Sequence, residues 1–115
     1  MNEHLNRTGS LQRVAEFHGP MPTGVTVSRG GRIFVNYPRW GDKVDFTVAE
    51  LRDGQAHAYP DADINRFDLA NAASTFVSVQ SVVIDPLDRL WVLDTGNPLM
   101  QGTVPDGPKL VAIDL

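Results

Sequence analysis

The sequence predicts an all-β fold: a β-propeller, of which this chain covers about two blades. Three observations carry that expectation. Ten glycines and eight prolines interrupt 115 residues so often that long helices have little room. The best-patterned segments are short, rich in β-branched and aromatic residues, and bounded by turn signals. Two stretches also repeat the same strand–turn–strand pattern 57 positions apart.

The elements follow in order. Leu11 to Phe17 reads as a strand ended by His18-Gly19-Pro20. Gly24 to Ser28, with Val25 and Val27, is a second short strand. Arg29-Gly30-Gly31 marks a tight turn, because adjacent glycines allow positive φ. Arg32 to Tyr37 (RIFVNY) is strongly β-prone, and Pro38 to Lys43 is a loop. Phe46 to Leu51 and Gln55 to Tyr59 flank the hairpin signal Asp53-Gly54. Residues 61–75 hold the one plausible helical turn, around Phe67 to Ala73. Strands resume at Phe76 to Asp85 and, after the turn Pro86-Leu87-Asp88, at Arg89 to Asp94. Gly96-Asn97-Pro98 breaks the pattern, and Lys109 to Leu115 is the last strand.

The repeat needs no gaps. Val25, Val27, Arg32, Ile33, Phe34 and Val35 correspond to Val82, Ile84, Arg89, Leu90, Trp91 and Val92. A period of several tens of residues with about four strands per period is the pattern of a propeller blade. Val82-Val83-Ile84 and Leu90 to Leu93 are apolar on consecutive positions, so both faces of that sheet require cover. Blades are covered in this way by their neighbours. The expected organisation is a flexible segment over 1–10 and propeller over 11–115, with units at about 20–60 and 76–115. Four units of this period would need about 228 residues. The chain is therefore expected to be an amino-terminal part of a larger ring, its open faces covered by further blades or by other copies.

Composition narrows the function classes. Lys plus Arg is 10, Asp plus Glu is 14, and the net charge is −4. Nucleic-acid binding is not expected, since it calls for a basic face. Neither is a polybasic membrane anchor, nor a transmembrane helix, which needs a run of about 20 apolar residues. The lack of cysteine excludes disulfides, thiol catalysis and Cys-ligated metals within this sequence. Met1 to Thr8 lacks the apolar core of a signal peptide, and the compartment stays open. Asn6-Arg7-Thr8 fits a glycosylation triplet of a kind common by chance.

Two stretches together resemble one family. Pro22-Thr23-Gly24-Val25 followed by Arg32 to Trp40 (RIFVNYPRW), and Ser81 to Asp85 followed by Asp88 to Gly96 (DRLWVLDTG), are similar to the major royal jelly protein and Yellow family. Pro108 to Leu115 resembles its next motif. The resemblance covers residues 11–115 and implies a six-bladed propeller, some of whose members bind small amines and some of which isomerise dopachrome. Family members are often exported. Insect members usually carry a cysteine where this chain has Leu87. That departure resembles bacterial relatives labelled L-dopachrome tautomerase-related.

Strand order places the candidate site. In a blade the first strand leaves one rim and the second returns to it, so Thr23, Tyr37, Arg39 and Trp40 share a rim with Gln80, Ser81, Asp94, Thr95 and Asn97. A tautomerase needs a base and donors that stabilise enolate-like charge. Asp94 is the candidate base and Arg39 the candidate charge stabiliser. Trp40 is placed to stack on an aromatic or cationic ligand, and Thr23, Tyr37, Gln80 and Asn97 complete the candidate binding set. Each has a structural alternative: Asp94 and Arg39 as staples of loop backbone, Trp40 as a wedge between blades.

No cofactor or metal is expected. His4, His18 and His57 lack ligand spacing. Asp61-Ala62-Asp63-Ile64-Asn65 imitates an EF-hand opening, but Arg66 and Ala72 occupy positions where Gly and Glu are required. That stretch reads as a solvated connection. No nucleophile elbow, P-loop or dinucleotide fingerprint is present. The competing functions are a dopachrome-tautomerase-like isomerase and a non-catalytic binder of small aromatic or amine ligands. A gluconolactonase-like metal-dependent lactonase is weaker, because Met21-Pro22-Thr23 offers no carboxylate before the first inner strand. A purely structural role through self-assembly is the fourth.

Overall fold

A computed structural model describes residues 9–115. Seven strands form two antiparallel sheets. The first sheet orders β1 (Gly24–Val27), β2 (Ile33–Asn36), β3 (Val48–Arg52) and β4 (Gln55–Ala58) as a meander. The second orders β5 (Val79–Ile84), β6 (Arg89–Asp94) and β7 (Lys109–Asp114). Short 3-10 turns at Leu69–Ser74 and Pro98–Met100 are the helical content among the described residues. Most of the expected flexible segment, and the glycosylation triplet, lie outside them.

The repeat appears directly in space. Thr23 Oγ1 donates to the carbonyl of Gln80 at 3.0 Å, and the Arg29 guanidinium donates to the carbonyl of Pro86 at 2.7 Å. Both pairs are 57 residues apart, so equivalent positions of successive units are neighbours. The hairpin turns match as well. Ser28 Oγ accepts the Arg32 amide at 2.9 Å, and the equivalent Asp85 Oδ1 accepts the Arg89 amide at 3.0 Å. Gly31 (φ 89°) and the equivalent Asp88 (φ 60°) both sit in the left-handed region. There glycine is unstrained, and Asp is among the few side chains tolerated.

The main core lies between the sheets. Phe34 and Val48 on the front of the first sheet pack against Val79, Val82, Leu90 and Val92 on the back of the second. Phe76, Ile64 and Tyr59, from the linker between the units, fill its outer half. A second core on the back of the first sheet gathers Val35, Tyr37, Val44 and Ala49, with Phe46, Leu51 and Ala56 against them. The alternation of strand side chains separates the two cores.

Three expectations are corrected. Leu11 to Phe17 is not a strand; it runs as irregular chain beside the back of the first sheet, with Leu11 88% exposed. Its composition is strand-like, but among the described residues no strand pairs with it to complete a ladder. Phe17 nevertheless packs edge-on to Tyr37, with centroids 6.2 Å apart. The run from Phe76 to Asp85 becomes a strand only at Val79 and carries a bulge between Val79 and Ser81. The bulge leaves Gln80 and Ser81 both exposed. The connection at 61–65 is not simply solvated, because Asn65 is buried.

Candidate functional site

The rim residues named from the sequence do gather at one end of the two sheets. Most of them, however, hold backbone rather than face solvent. Asp94 ends β6 and is 1% exposed. Its Oδ2 accepts the Val77 amide at 2.7 Å, and its Oδ1 accepts the amides of Ser78 and Gly96, each at 2.9 Å. Lys109 Nζ lies 3.0 Å from Oδ2. The same ammonium donates to the carbonyls of Ala72 (2.7 Å) and Gly107 (2.8 Å). The carboxylate is thus ringed by donors, and no oxygen faces solvent to take a proton from a ligand. Its neighbourhood is tight: a Cβ on Gly96 (φ 60°) would stand 2.4 Å from the carbonyl carbon of Gly107.

Arg39 is equally occupied. Its side chain donates to the carbonyls of Val77 (3.0 Å), Asn65 (3.0 Å) and Val44. The guanidinium carbon lies 4.8 Å from the Phe67 ring centroid. Its backbone amide donates to Ser78 Oγ (3.0 Å), and its carbonyl accepts the Leu99 amide (2.7 Å). Burial pulls the guanidinium pKa down, and the charges of Asp94 and Asp45 partly counter this. A planar five-donor fork suits convergent carbonyls as no ammonium could. Both residues lie on the expected rim, Asp94 accepting three amides beside an ammonium and Arg39 donating to three carbonyls.

Thr23 and Asn36 stitch the units beneath the rim. Asn36 Nδ2 donates to Thr23 Oγ1 (3.0 Å) and to the carbonyl of Val79 (2.8 Å). Asn36 Oδ1 is buried without a hydrogen-bond partner, and a Cβ on Gly24 would stand 2.4 Å from it. Tyr37 is buried in the back core between Phe17 and Phe46, where burial pushes its phenol pKa up. It lines a cleft of about 280 Å³ under residues 16–20, away from the inner rim.

Besides the exposed Thr23 and the half-buried Arg39, three of the named residues remain accessible. Gln80 is exposed at the bulge of the innermost strand, and Trp40 and Asn97 are half-buried. Asn97 Oδ1 accepts the Gly102 amide at 2.8 Å and so shapes the loop that carries Leu99 and Met100. Both of those are exposed at positive φ, 58° and 55°. The 2.7 Å bond from Leu99 to the Arg39 carbonyl puts this loop next to Trp40.

Sequence reasoning missed the buried polar frame. Asn65 Oδ1 accepts the amides of Thr47 (3.0 Å) and Val48 (2.9 Å), while its Nδ2 donates to the carbonyls of Tyr59 and Asp61. Thr47 Oγ1 donates to the carbonyl of Tyr37 (2.6 Å) and accepts the Val79 amide (3.1 Å). Ser78 and Lys109 belong to the same frame. A polar residue beside an apolar run was the available signal, and it does not distinguish a buried staple from a solvated neighbour. Among the described residues, no three His, Asp or Glu side chains could share a metal ion.

Two antiparallel blades, stacked front to back with their inner strands adjacent, define part of a β-propeller. The family model for the major royal jelly proteins matches residues 77–115. Yellow-related salivary protein LJM17 of Lutzomyia longipalpis is 36% identical over 106 residues, covering 83% of this chain and 26% of its own. Protein yellow of Drosophila melanogaster is 31% identical over 81 residues, covering 66% of this chain and 15% of its own. The chain belongs to the major royal jelly protein and Yellow family. It spans about a quarter of the length of the salivary relative.

Proposed function

We propose that this chain contributes one sector of a small-molecule binding rim, taking an aromatic or amine ligand without converting it. The observation that carries the reading is the saturation of Asp94. Its carboxylate accepts three amides and an ammonium, which supports a stapling role for it over that of the base an isomerase needs. What remains accessible is suited to binding: the Trp40 ring, the Gln80 carboxamide, and Leu99 and Met100 on an adjoining loop. An aromatic face attracts a cationic amine or stacks on a ring, and a carboxamide orients it. Dopachrome-tautomerase-like isomerisation is the second reading. It requires a base from outside these two sheets and rests on the family resemblance. The bacterial origin suggested by the missing cysteine belongs with that reading.

The test is calorimetric titration of the chain with a catecholamine and with an indoleamine. Saturable binding, weakened at least about tenfold by Trp40→Ala as loss of a stacking contact implies, supports the reading. Binding that Trp40→Ala leaves unchanged, or no binding at millimolar ligand, refutes it. Turnover of dopachrome that survives Asp94→Asn would move the function to the second reading.

A further inference from the structure

Strand β5 carries one residue too many, and the first sheet decides which. Val79 and Val82 both lie in the main core. Residues three apart share a face of a strand only where an extra residue intervenes. The apolar pattern therefore requires a bulge, but leaves open whether Gln80 or Ser81 is the extra residue. In the structure Val79 pairs with Asp94 and Ser81 with Leu93, so Gln80 is the one outside the ladder. With Ser81 extra instead, Gln80 would pair with Leu93 and enter the cross-strand row of Leu93 and Leu110 on the front of the sheet.

A bulge leaves backbone groups without ladder partners, and here side chains of the first unit take them. Thr47 Oγ1 accepts the Val79 amide at 3.1 Å. Asn36 Nδ2 donates to the Val79 carbonyl at 2.8 Å, and Thr23 Oγ1 donates to the Gln80 carbonyl at 3.0 Å. Asn36 and Thr23 are themselves bonded at 3.0 Å. The orientation of Asn36 has a cost, because its Oδ1 is buried over Gly24 without a partner. Turned over, the amide would offer that oxygen to the Thr23 hydroxyl but would leave the Val79 carbonyl unpaired. The strand itself does not ask for asparagine, since the equivalent residue of the second unit is Leu93. What the asparagine serves is the bulge.

Gln80 also stands at a position that stays open when a neighbouring sheet is present. Thr23, its equivalent, is exposed although the second sheet packs on the front of the first. We infer that Asn36 and Thr23 are positioning residues, which lock the extra residue of β5 at Gln80 and so hold its carboxamide at the binding rim. The inference rests on the ligand-orienting role proposed for Gln80 above. It gives the first unit a part in binding that is exerted through the backbone of the second.

Amide hydrogen exchange of the full chain, read by NMR, tests the lock in Thr23→Val and Asn36→Leu. Thr23 is exposed and valine keeps its shape, so that variant stays informative even if Asn36→Leu does not fold. Exchange at residues 79–82 should quicken at least about tenfold in each folded variant, as local opening of the bulge implies, while amides of Lys109–Asp114 keep the parent's rates. Calorimetric titration with a catecholamine then tests what the lock serves. Thr23→Val should weaken binding at least about fivefold in the parent and leave Gln80→Leu unchanged, because the two substitutions act through one side chain. A brace of the fold in general would weaken both backgrounds alike, and such additive losses overturn the inference. Unaltered exchange at residues 79–82 in a parent that binds the amine overturns the lock alone. A parent that binds no amine overturns the rim reading and this inference with it.

Discussion

Replacing Asp94 by alanine strands three amides and an ammonium at once. Val77, Ser78 and Gly96 lose their acceptor, and Lys109 keeps only the carbonyls of Ala72 and Gly107. Removing one partner of a buried ion pair costs about 3–5 kcal/mol, and each orphaned buried donor adds to that side of the ledger. Relaxation makes these terms overlap, so the expected loss for Asp94→Ala is about 3–5 kcal/mol in total. A small domain has only about 5–15 kcal/mol to lose. At this length the melting temperature should fall by roughly 10–20 °C. Asp94→Asn retains an oxygen for Ser78 and Gly96 but turns an amide nitrogen toward the Val77 N–H and Lys109, donor against donors. It should cost about 2–3 kcal/mol. Adding Lys109→Met to Asp94→Asn removes half of that conflict, and the pair should couple by about 1–2 kcal/mol. Urea unfolding followed by tryptophan fluorescence measures all of these, provided the slope is unchanged. An Asp94→Ala protein within 1 kcal/mol or so of the parent would refute the account of Asp94 as a backbone staple and reopen its candidacy as a base.

The other predictions concern the rim and the turns. Arg39→Lys should cost about 2–3 kcal/mol in urea unfolding, because one ammonium cannot reach the three carbonyls the fork satisfies; unchanged stability with weakened ligand binding would return Arg39 to the ligand site. Gly24→Ala should destabilise by about 1–3 kcal/mol through its clash with Asn36 Oδ1, and much less in an Asn36→Ala background, so additive losses in the double-mutant cycle would count against the contact. The Trp91 indole (2.8 Å) and the Arg89 groups hold the Asp85 carboxyl well below the usual carboxylate range. Glu50 is likewise lowered, first by its bond from Arg32. Groups with depressed pKa stabilise the fold fully above their unfolded values near 4 and lose that contribution as pH falls through the folded values. Stability should therefore be flat from pH 7 to about 5 and fall below about 4. Trp91→Phe should move the Asp85 carboxyl titration upward, as followed by carbon NMR, and a titration that stays put would remove the indole from the explanation.

The fold was legible because its signals are local or periodic. Arg89 to Asp94 encloses a continuous apolar run between turn signals, so its strand limits were readable to the residue. The period of 57 pairs equivalent residues of the two units, and the bonds Thr23–Gln80 and Arg29–Pro86 lie at that spacing. The rim, too, followed from strand order alone. Leu11 to Phe17 shows the limit of such reading. Its pattern suits a strand, but a strand is a statement about a neighbour, and pattern does not supply one.

What each rim residue does was decided elsewhere. The residue types of Asp94 and Arg39 are as suited to catalysis as to stapling, and the choice rests on what surrounds them. Lys109, the amides at 77–78 and the carbonyls at 44 and 65 are distant in sequence and converge only when the linker folds between the blades. The bulge that exposes Gln80 has no local signature either, since one extra residue in an apolar run is invisible until the partner strand fixes the register. Sequence by itself determined the strands, the repeat and the rim, because those depend on side-chain periodicity and chain order. Only the tertiary structure decided which polar groups are already satisfied and which are left to meet a ligand, because hydrogen bonding and burial are properties of convergence in space.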